Sequence, residues 1–214
     1  MNRLLEGALN TFFPERFNCF MCDKEAFVDA GGLCPSCAKK LCRCSSPANL
    51  EGLDGIAARW RFDDLTAQAV HRLKYSGAKY LCRPFTSGIK LPENWAPDAI
   101  VPVPLHKKRQ RARGYNQSAL LAKELGALTG IPVREDLLKR VTDSKSQTRL
   151  TPAEREKNMR GAFAASADAS GLTLLLLDDV LTTGCTVKAC ARALKSAGAR
   201  GVYAYCIFIH PILM

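Results

Sequence analysis

Two adjacent carboxylates, Asp178 and Asp179, are followed three residues later by Thr182-Thr183-Gly184-Cys185-Thr186, hydroxyls set around a glycine. Carboxylates accept hydrogen bonds from sugar hydroxyls or hold a hard cation. Small and hydroxylated residues let backbone N–H groups approach an anion, and threonine hydroxyls donate to it. Residues 172–186 read LTLLLLDDVLTTGCT, an apolar run that halts at the acids, with a helical pattern from about Val187. A buried strand is therefore expected to end at the acids. The opening turn of the following helix adds its orphan N–H groups and positive dipole end. The combination places a pair of acids beside a turn suited to a phosphate group. Asp178 or Asp179 also has a less direct use, orienting the turn by accepting backbone N–H bonds. Cys185 reads as a small buried residue of the turn rather than a nucleophile.

A second set of chemical residues lies near the N-terminus. Cys19-x2-Cys22 is followed after eleven residues by Cys34-x2-Cys37. Two such knuckles can present four thiolates tetrahedrally, the donor set of a structural zinc ribbon, and Gly31-Gly32 permits a reversal between them. So short a segment has almost no core of its own, and metal binding on the order of 10 kcal/mol supplies the folding energy in small zinc modules. Six of the ten cysteines fall between Cys19 and Cys44, and paired cysteines in a cytosolic-looking chain argue for metal over disulfides. A closed four-cysteine site is structural, so catalysis is not expected there. Cys42-x-Cys44 reads equally as a spare pair, an alternative ligand set or packing residues.

The elements that must position these groups follow from pattern. The chain has 214 residues, of which 47% are hydrophobic, enough for one ordinary domain and a small appendage. No apolar run approaches the roughly 20 residues that span a bilayer, and the first residues lack a signal-peptide pattern. The expectation is a cytoplasmic protein with no membrane partner. Residues 45–58 read as a connector, 65–73 as a short helix before Gly77, and 81–89 as a second helix. Residues 99–103, AIVPV, form a short strand that Pro102 and Pro104 must end, and a basic loop covers 106–117. Ser118 begins a helix closed by Gly130-Ile131-Pro132, and a strand is expected near 137–140. Thr151-Pro152-Ala153-Glu154 is a capping box for a helix over 152–160. A helix over 187–197 and a buried strand over 202–209 complete a βαβ unit in a parallel sheet, whose ligands lie beyond the carboxyl ends of the strands. Net charge is +11, and residues 105–160 hold 14 Lys/Arg against 6 Asp/Glu. The positive field thus sits in the middle of the chain, where it can steer pyrophosphate or nucleic acid.

The acid–threonine stretch resembles the phosphoribosyl-pyrophosphate (PRPP) signature of type I phosphoribosyltransferases. With the CxxC pairs, residues 73–77 (LKYSG), the run VPVPLHKKRQRARGYNQS and the segment 140–163, the chain resembles the ComF/GntX family. That resemblance implies an α/β fold, a type I phosphoribosyltransferase-like parallel sheet flanked by helices, with a small N-terminal zinc-ribbon module. It divides the chain into a zinc module (1–50), a helical linker or hood region (51–97) and the phosphoribosyltransferase-like domain (98–214). It implies that Asp178 and Asp179 hold the ribose hydroxyls as the catalytic acids, while Thr182, Thr183, Gly184, Cys185 and Thr186 form the phosphate turn. Backbone amides near Leu105 and His106, with Lys107, Lys108 or Arg109 close by, would face the diphosphate; Arg113, Gly114, Asn116 and Gln117 would line or brace the same cleft. Arg149 and Arg155 would close over the diphosphate from a segment expected to be mobile until ligand binds.

The resemblance further implies structural zinc on Cys19, Cys22, Cys34 and Cys37, and Mg²⁺ bound with PRPP. It associates the chain with DNA uptake in natural transformation, downstream of a competence helicase. Displacement of pyrophosphate at the anomeric carbon is the reaction implied, if the chain is catalytic. A non-catalytic single-stranded DNA-handling factor and a helicase-docking adaptor stand as the alternatives, and a homodimer stays open. Only residues 210–214 follow the last expected strand, so a hood over the acceptor must come from the N-terminal half.

Overall fold

Strands β7 (Thr173–Leu181) and β8 (Gly201–Ile209) are near-continuous apolar runs with almost every residue buried, the pattern of central parallel strands covered on both faces. The computed structural model of the chain describes residues 17–44, 49–142 and 161–214. Within them β3 (Gly55–Arg61), β8, β7 and β4 (Ala99–Pro102) form a four-stranded sheet in the order β3-β8-β7-β4, and every pairing is parallel. No described helix is long and apolar enough to cross a membrane.

Alternation along the strands divides the core between the two faces. Leu175, Leu177, Tyr205 and Ile207 pack with helices α2 (Asp64–Tyr75), α3 (Cys82–Thr86) and α5 (Gln117–Thr129). Leu174, Leu176, Val202 and Cys206 pack with α6 (Cys185–Ser196) and with an antiparallel ribbon of β5 (Leu138–Arg140) and β6 (Phe163–Ala165). Helix α2 starts on a reciprocal capping box between Asp63 and Thr66, which satisfies two otherwise orphan donors.

The cysteine module carries strands β1 (Phe17–Asn18) and β2 (Glu25–Ala26) and helix α1 (Pro35–Lys40). It is not an independent bead. Phe20 joins an aromatic cluster with Trp60 and Phe85 at 6.4 and 6.0 Å between ring centres, and Phe208 completes that cluster. Residues 42–44 then run antiparallel beside β3, with Arg61 N donating to Cys42 O (2.9 Å) and Cys44 N to Arg59 O (3.0 Å). That pairing places Cys42 and Cys44 at the edge of the sheet.

Several local expectations are corrected. Residues 45–58 are not all connector, because Gly55–Arg61 is a sheet strand. Its small alanines, Ala57 and Ala58, and its inward arginine hide the pattern: the Arg59 guanidinium is satisfied by Pro84 O (3.2 Å) and Phe85 O (2.7 Å). Burial pulls its pKa down to about 10. The region 51–97 therefore contributes a strand to the main sheet as well as helices. The basic loop is partly a helix, α4 (Lys107–Arg113), which His106 caps and Gly114 closes; lysine and arginine are good helix formers. The second helix of the N-terminal half is shorter than 81–89, a 3-10 turn over Lys79–Leu81 running into α3. The capping box at 151–154, the helix over 152–160, Arg149 and Arg155 lie outside the described residues.

Candidate functional site

Strand β4 is short because Pro102 and Pro104 have no N–H to continue its ladder. Its register with β7 ends at Pro102↔Leu177, followed by one bond from Val103 N to Leu177 O (3.0 Å). On its other side β7 stays paired with β8 as far as Leu181↔Ile209. The expectation that the strand ends at the acids is thus corrected: Asp178 and Asp179 lie inside β7, on the stretch that β4 leaves uncovered.

The N-terminus of α5 fills that step. Asn116 caps the helix and donates from Nδ2 to Val103 O (3.0 Å). Ser118 Oγ donates to Asp178 Oδ1 (2.8 Å), and Gln117 Nε2 donates to Asp179 Oδ1 (3.3 Å). Arg113, at the end of α4, donates to Gln117 Oε1. From the opposite side the last turn of α2 brings Lys74 Nζ to 2.6 Å from Asp179 Oδ2. Both acids are nearly closed off, Asp178 at 9% exposure and Asp179 at 3%.

Burial, and then the neighbouring charge of Asp179, push the Asp178 carboxyl up to about 7, against the Ser118 bond and the more distant Lys74 charge. A carboxyl whose folded pKa lies above its unfolded value of about 3.9 holds its proton better in the folded state. Its contribution to stability is fully present below about pH 4 and is lost as the pH rises through about 7. Urea unfolding from pH 5 to 8 should therefore show a loss on the order of 2 kcal/mol in the natural chain. The Asp178→Asn variant should be flatter over the same range; equal slopes would contradict the buried, protonated carboxyl.

The threonine turn sits directly after β7. Thr182 and Thr183 are exposed, Gly184 is buried, and Cys185 and Thr186 are partly covered. Helix α6 begins at Cys185, two residues earlier than its periodicity indicated, with Gly184 as its N-cap in the left-handed region (φ 77°) and no side-chain cap. The first-turn N–H groups of this helix are the donors an anion needs. The left-handed φ favours glycine there, and a Cβ at Gly184 would lie 2.7 Å from Leu50 Cδ1, so that side chain would have to move. Gly184→Ala should cost about 1–3 kcal/mol, read as a fall in melting temperature; an unchanged transition would contradict the geometry.

Arg113 reaches the acids through Gln117. Leu105 is half-buried just before α4, His106 accepts from Lys108 N at Nδ1 (3.3 Å), and Lys107 is exposed at the far end of that helix, about 9 Å from Arg113 along the axis. Lys74 and Ser118 are the residues to which sequence reasoning gave no role. The LKYSG stretch was the available signal for Lys74, and a serine in the first turn of α5 was the signal for Ser118.

The four sulfurs of Cys19, Cys22, Cys34 and Cys37 lie within 4.8 Å of one another, and all are free thiols. Tetrahedral ligation with bonds of about 2.3 Å places sulfurs about 3.8 Å apart, and Cys22 and Cys34 are at 4.0 Å. Burial works against ionisation of Cys19, but backbone N–H groups led by Cys34 (3.3 Å) outweigh it and bring the thiol to about 7. Burial, and then the neighbouring Cys22, Cys34 and Cys19 thiols, raise Cys37. The donor set fits a metal.

Residues 111–212 match the phosphoribosyl transferase domain family. The chain is similar to Competence protein F of Haemophilus influenzae, 27% identical over 87% of this chain and 94% of that one. It is 26% identical to Competence protein ComFC of Bacillus subtilis over 89% and 83%. The DNA utilization protein YhgH of Salmonella typhi is 37% identical over 52% of this chain, and the match spans 49% of that protein's length. Among solved structures, the glutamine PRPP amidotransferase of B. subtilis complexed with ADP and GMP superposes with a TM-score of 0.41 and 19% identity, covering 67% of this chain and 28% of that one.

Proposed function

We propose, from the premise that this chain belongs to the ComF family and carries a phosphoribosyltransferase-like domain, that it binds magnesium–PRPP in the use of DNA during competence. One observation carries the reading: an uncapped helix N-terminus, turned by a left-handed Gly184, directly follows the strand that holds two buried carboxylates where β4 leaves it uncovered. The turn at 182–186 takes the 5′-phosphate through backbone N–H groups and threonine hydroxyls. Asp178 and Asp179 take the ribose hydroxyls. Arg113 holds Gln117, and Gln117 with Lys74 holds Asp179. The diphosphate lies toward α4, where the end near Leu105, His106 and Lys107 offers amides and cations.

Magnesium bound together with PRPP would lower the charge of the diphosphate leaving group. The chain's own groups orient the ribose and stabilise charge, and pyrophosphate displacement at the anomeric carbon needs no protein nucleophile. Ligand hydroxyls and a cation favour the ionised form of Asp178, so affinity should rise as the pH passes about 7. Zinc on Cys19, Cys22, Cys34 and Cys37 supplies the fold of the module, and a cytoplasmic setting keeps those thiols reduced.

Isothermal titration calorimetry tests the reading. PRPP with magnesium should bind with one-to-one stoichiometry, and omission of magnesium should weaken it severely; no heat with either would contradict it. A second reading, direct contact with single-stranded DNA, is favoured by the exposed Lys107, Lys108 and Arg111 of α4. It predicts a steep salt dependence and no response to PRPP.

A further inference from the structure

The last turn of α2 faces two ways. Arg72 NH2 donates to Phe20 O (2.6 Å) and Met21 O (2.9 Å), and its NH1 pairs with Asp23 Oδ1 (2.5 Å). Two residues on, Lys74 pairs with Asp179 (2.6 Å). Between them Leu73 is fully buried, and its carbonyl accepts from the Tyr115 hydroxyl in the turn between α4 and α5. We infer that Arg72 and Lys74 are positioning residues that couple the cysteine module to the acid pair, so that metal in the module and ligand at Asp178–Asp179 strengthen each other's binding. The inference rests on the reading of Asp178 and Asp179 as the ligand site.

The acceptors of Arg72 are not arbitrary points on the module. Phe20 and Met21 are the two residues between Cys19 and Cys22, so the direction of their carbonyls is set by how that knuckle closes. Asp23 follows immediately. It holds a left-handed conformation (φ 64°) and donates its N–H to Cys19 O (2.8 Å). A closed knuckle therefore presents two carbonyl acceptors and a carboxylate ion partner to one guanidinium whose side chain is only 16% exposed. An opened knuckle withdraws them and leaves a mostly buried cation short of partners, a state the turn relieves by shifting.

The other end of the same turn cannot shift without consequence. Lys74 is the cation in direct contact with Asp179, while Gln117 fixes the second oxygen and is itself fixed by Arg113. Ser118, next to Gln117, holds Asp178. Movement of the last turn of α2 thus alters the orientation of Asp179 and the balance of charge across the pair. Coupling of this kind is reciprocal: if metal favours the ligand-competent arrangement, ligand must favour metal by the same factor.

The test uses the full-length, zinc-loaded chain. Zinc affinity is measured by competition with a chromogenic chelator, with and without saturating magnesium–PRPP, after calorimetry has established whether PRPP binds. The expected result is tighter zinc binding in the presence of ligand, by about fivefold or more. In Arg72→Met zinc and PRPP should each still bind, but the factor should fall to one, and Arg72→Lys should restore part of it. Asp23→Asn keeps a residue tolerant of the left-handed region and removes the paired charge. It should lower the factor as well, and it decides the matter if Arg72→Met does not fold. A natural chain that binds PRPP with unchanged zinc affinity overturns the coupling and leaves the ligand site standing. So does an Asp23→Asn variant that retains the full factor. Absence of any PRPP binding overturns the ligand site and the coupling together.

Discussion

Asp179→Ala should reduce the affinity for magnesium–PRPP by about 100-fold or more, the largest effect expected of any single substitution in the phosphoribosyltransferase-like domain. In the proposed site Asp179 accepts charge-assisted bonds from the ribose, each worth about 1.5–3 kcal/mol, and a loss of about 2.8 kcal/mol already corresponds to 100-fold. The substitution also strips Lys74 of its 2.6 Å partner and frees the amide of Gln117. Loss of one partner from a buried pair costs about 3–5 kcal/mol, so a fall in melting temperature should accompany the lost binding. Asp178→Asn separates the two consequences. It removes a carboxyl that burial already holds near neutrality, keeps an oxygen for the Ser118 hydroxyl, and should leave the fold as stable as before at pH 7 or slightly more so. Calorimetry should still find PRPP binding weakened by at least about tenfold, a little over 1.4 kcal/mol. Undiminished affinity in both variants would remove the acids from the site.

Cys34→Ser should produce the second large effect, in stability. Cys34 is a member of the four-sulfur cluster and also caps α1, where its sulfur accepts from Cys37 N (3.5 Å). Structural zinc contributes on the order of 10 kcal/mol in small modules, and a segment with two-residue strands and a six-residue helix has little regular structure of its own. Loss of a ligand should abolish stoichiometric zinc and unfold the module. Because Phe20 packs on Trp60 and Phe85, and Trp60 is only 4% exposed, the change should reach the sheet domain. Its signature is a red-shifted tryptophan emission and a lower melting temperature. Metal analysis showing undiminished zinc, or a melting curve unchanged from the natural chain, would exclude the four-cysteine site.

Legibility in the sequence followed how local the cause was. The run LTLLLLDDVLTTGCT announced β7, the acids, the turn and α6, because an apolar strand, a glycine and a helical period leave their marks on consecutive residues. The edge strand Gly55–Arg61 did not announce itself. Its alanines are weak strand formers, and Arg59 reads as a surface residue until Pro84 O and Phe85 O are seen to receive it. The two-residue extension of α6 toward Gly184 is not legible, because Cys185 and Thr186 read as turn residues, whereas a left-handed glycine lets a helix start at once. Lys74 was invisible as a site residue for a different reason. Its partner lies more than one hundred positions away, and no spacing rule connects a lysine at the end of one helix to an acid within a distant strand. Ser118 and Gln117 are intermediate cases: their place at the start of α5 was readable, and their aim was not.

The most direct measurement is the structure of the chain crystallised with magnesium and PRPP. Ligand density should place the 5′-phosphate against the backbone N–H groups of residues 183–186 and the ribose hydroxyls within hydrogen-bond reach of Asp178 and Asp179. Ligand density elsewhere, with the Gly184 turn and the two carboxylates untouched, would contradict the proposed site.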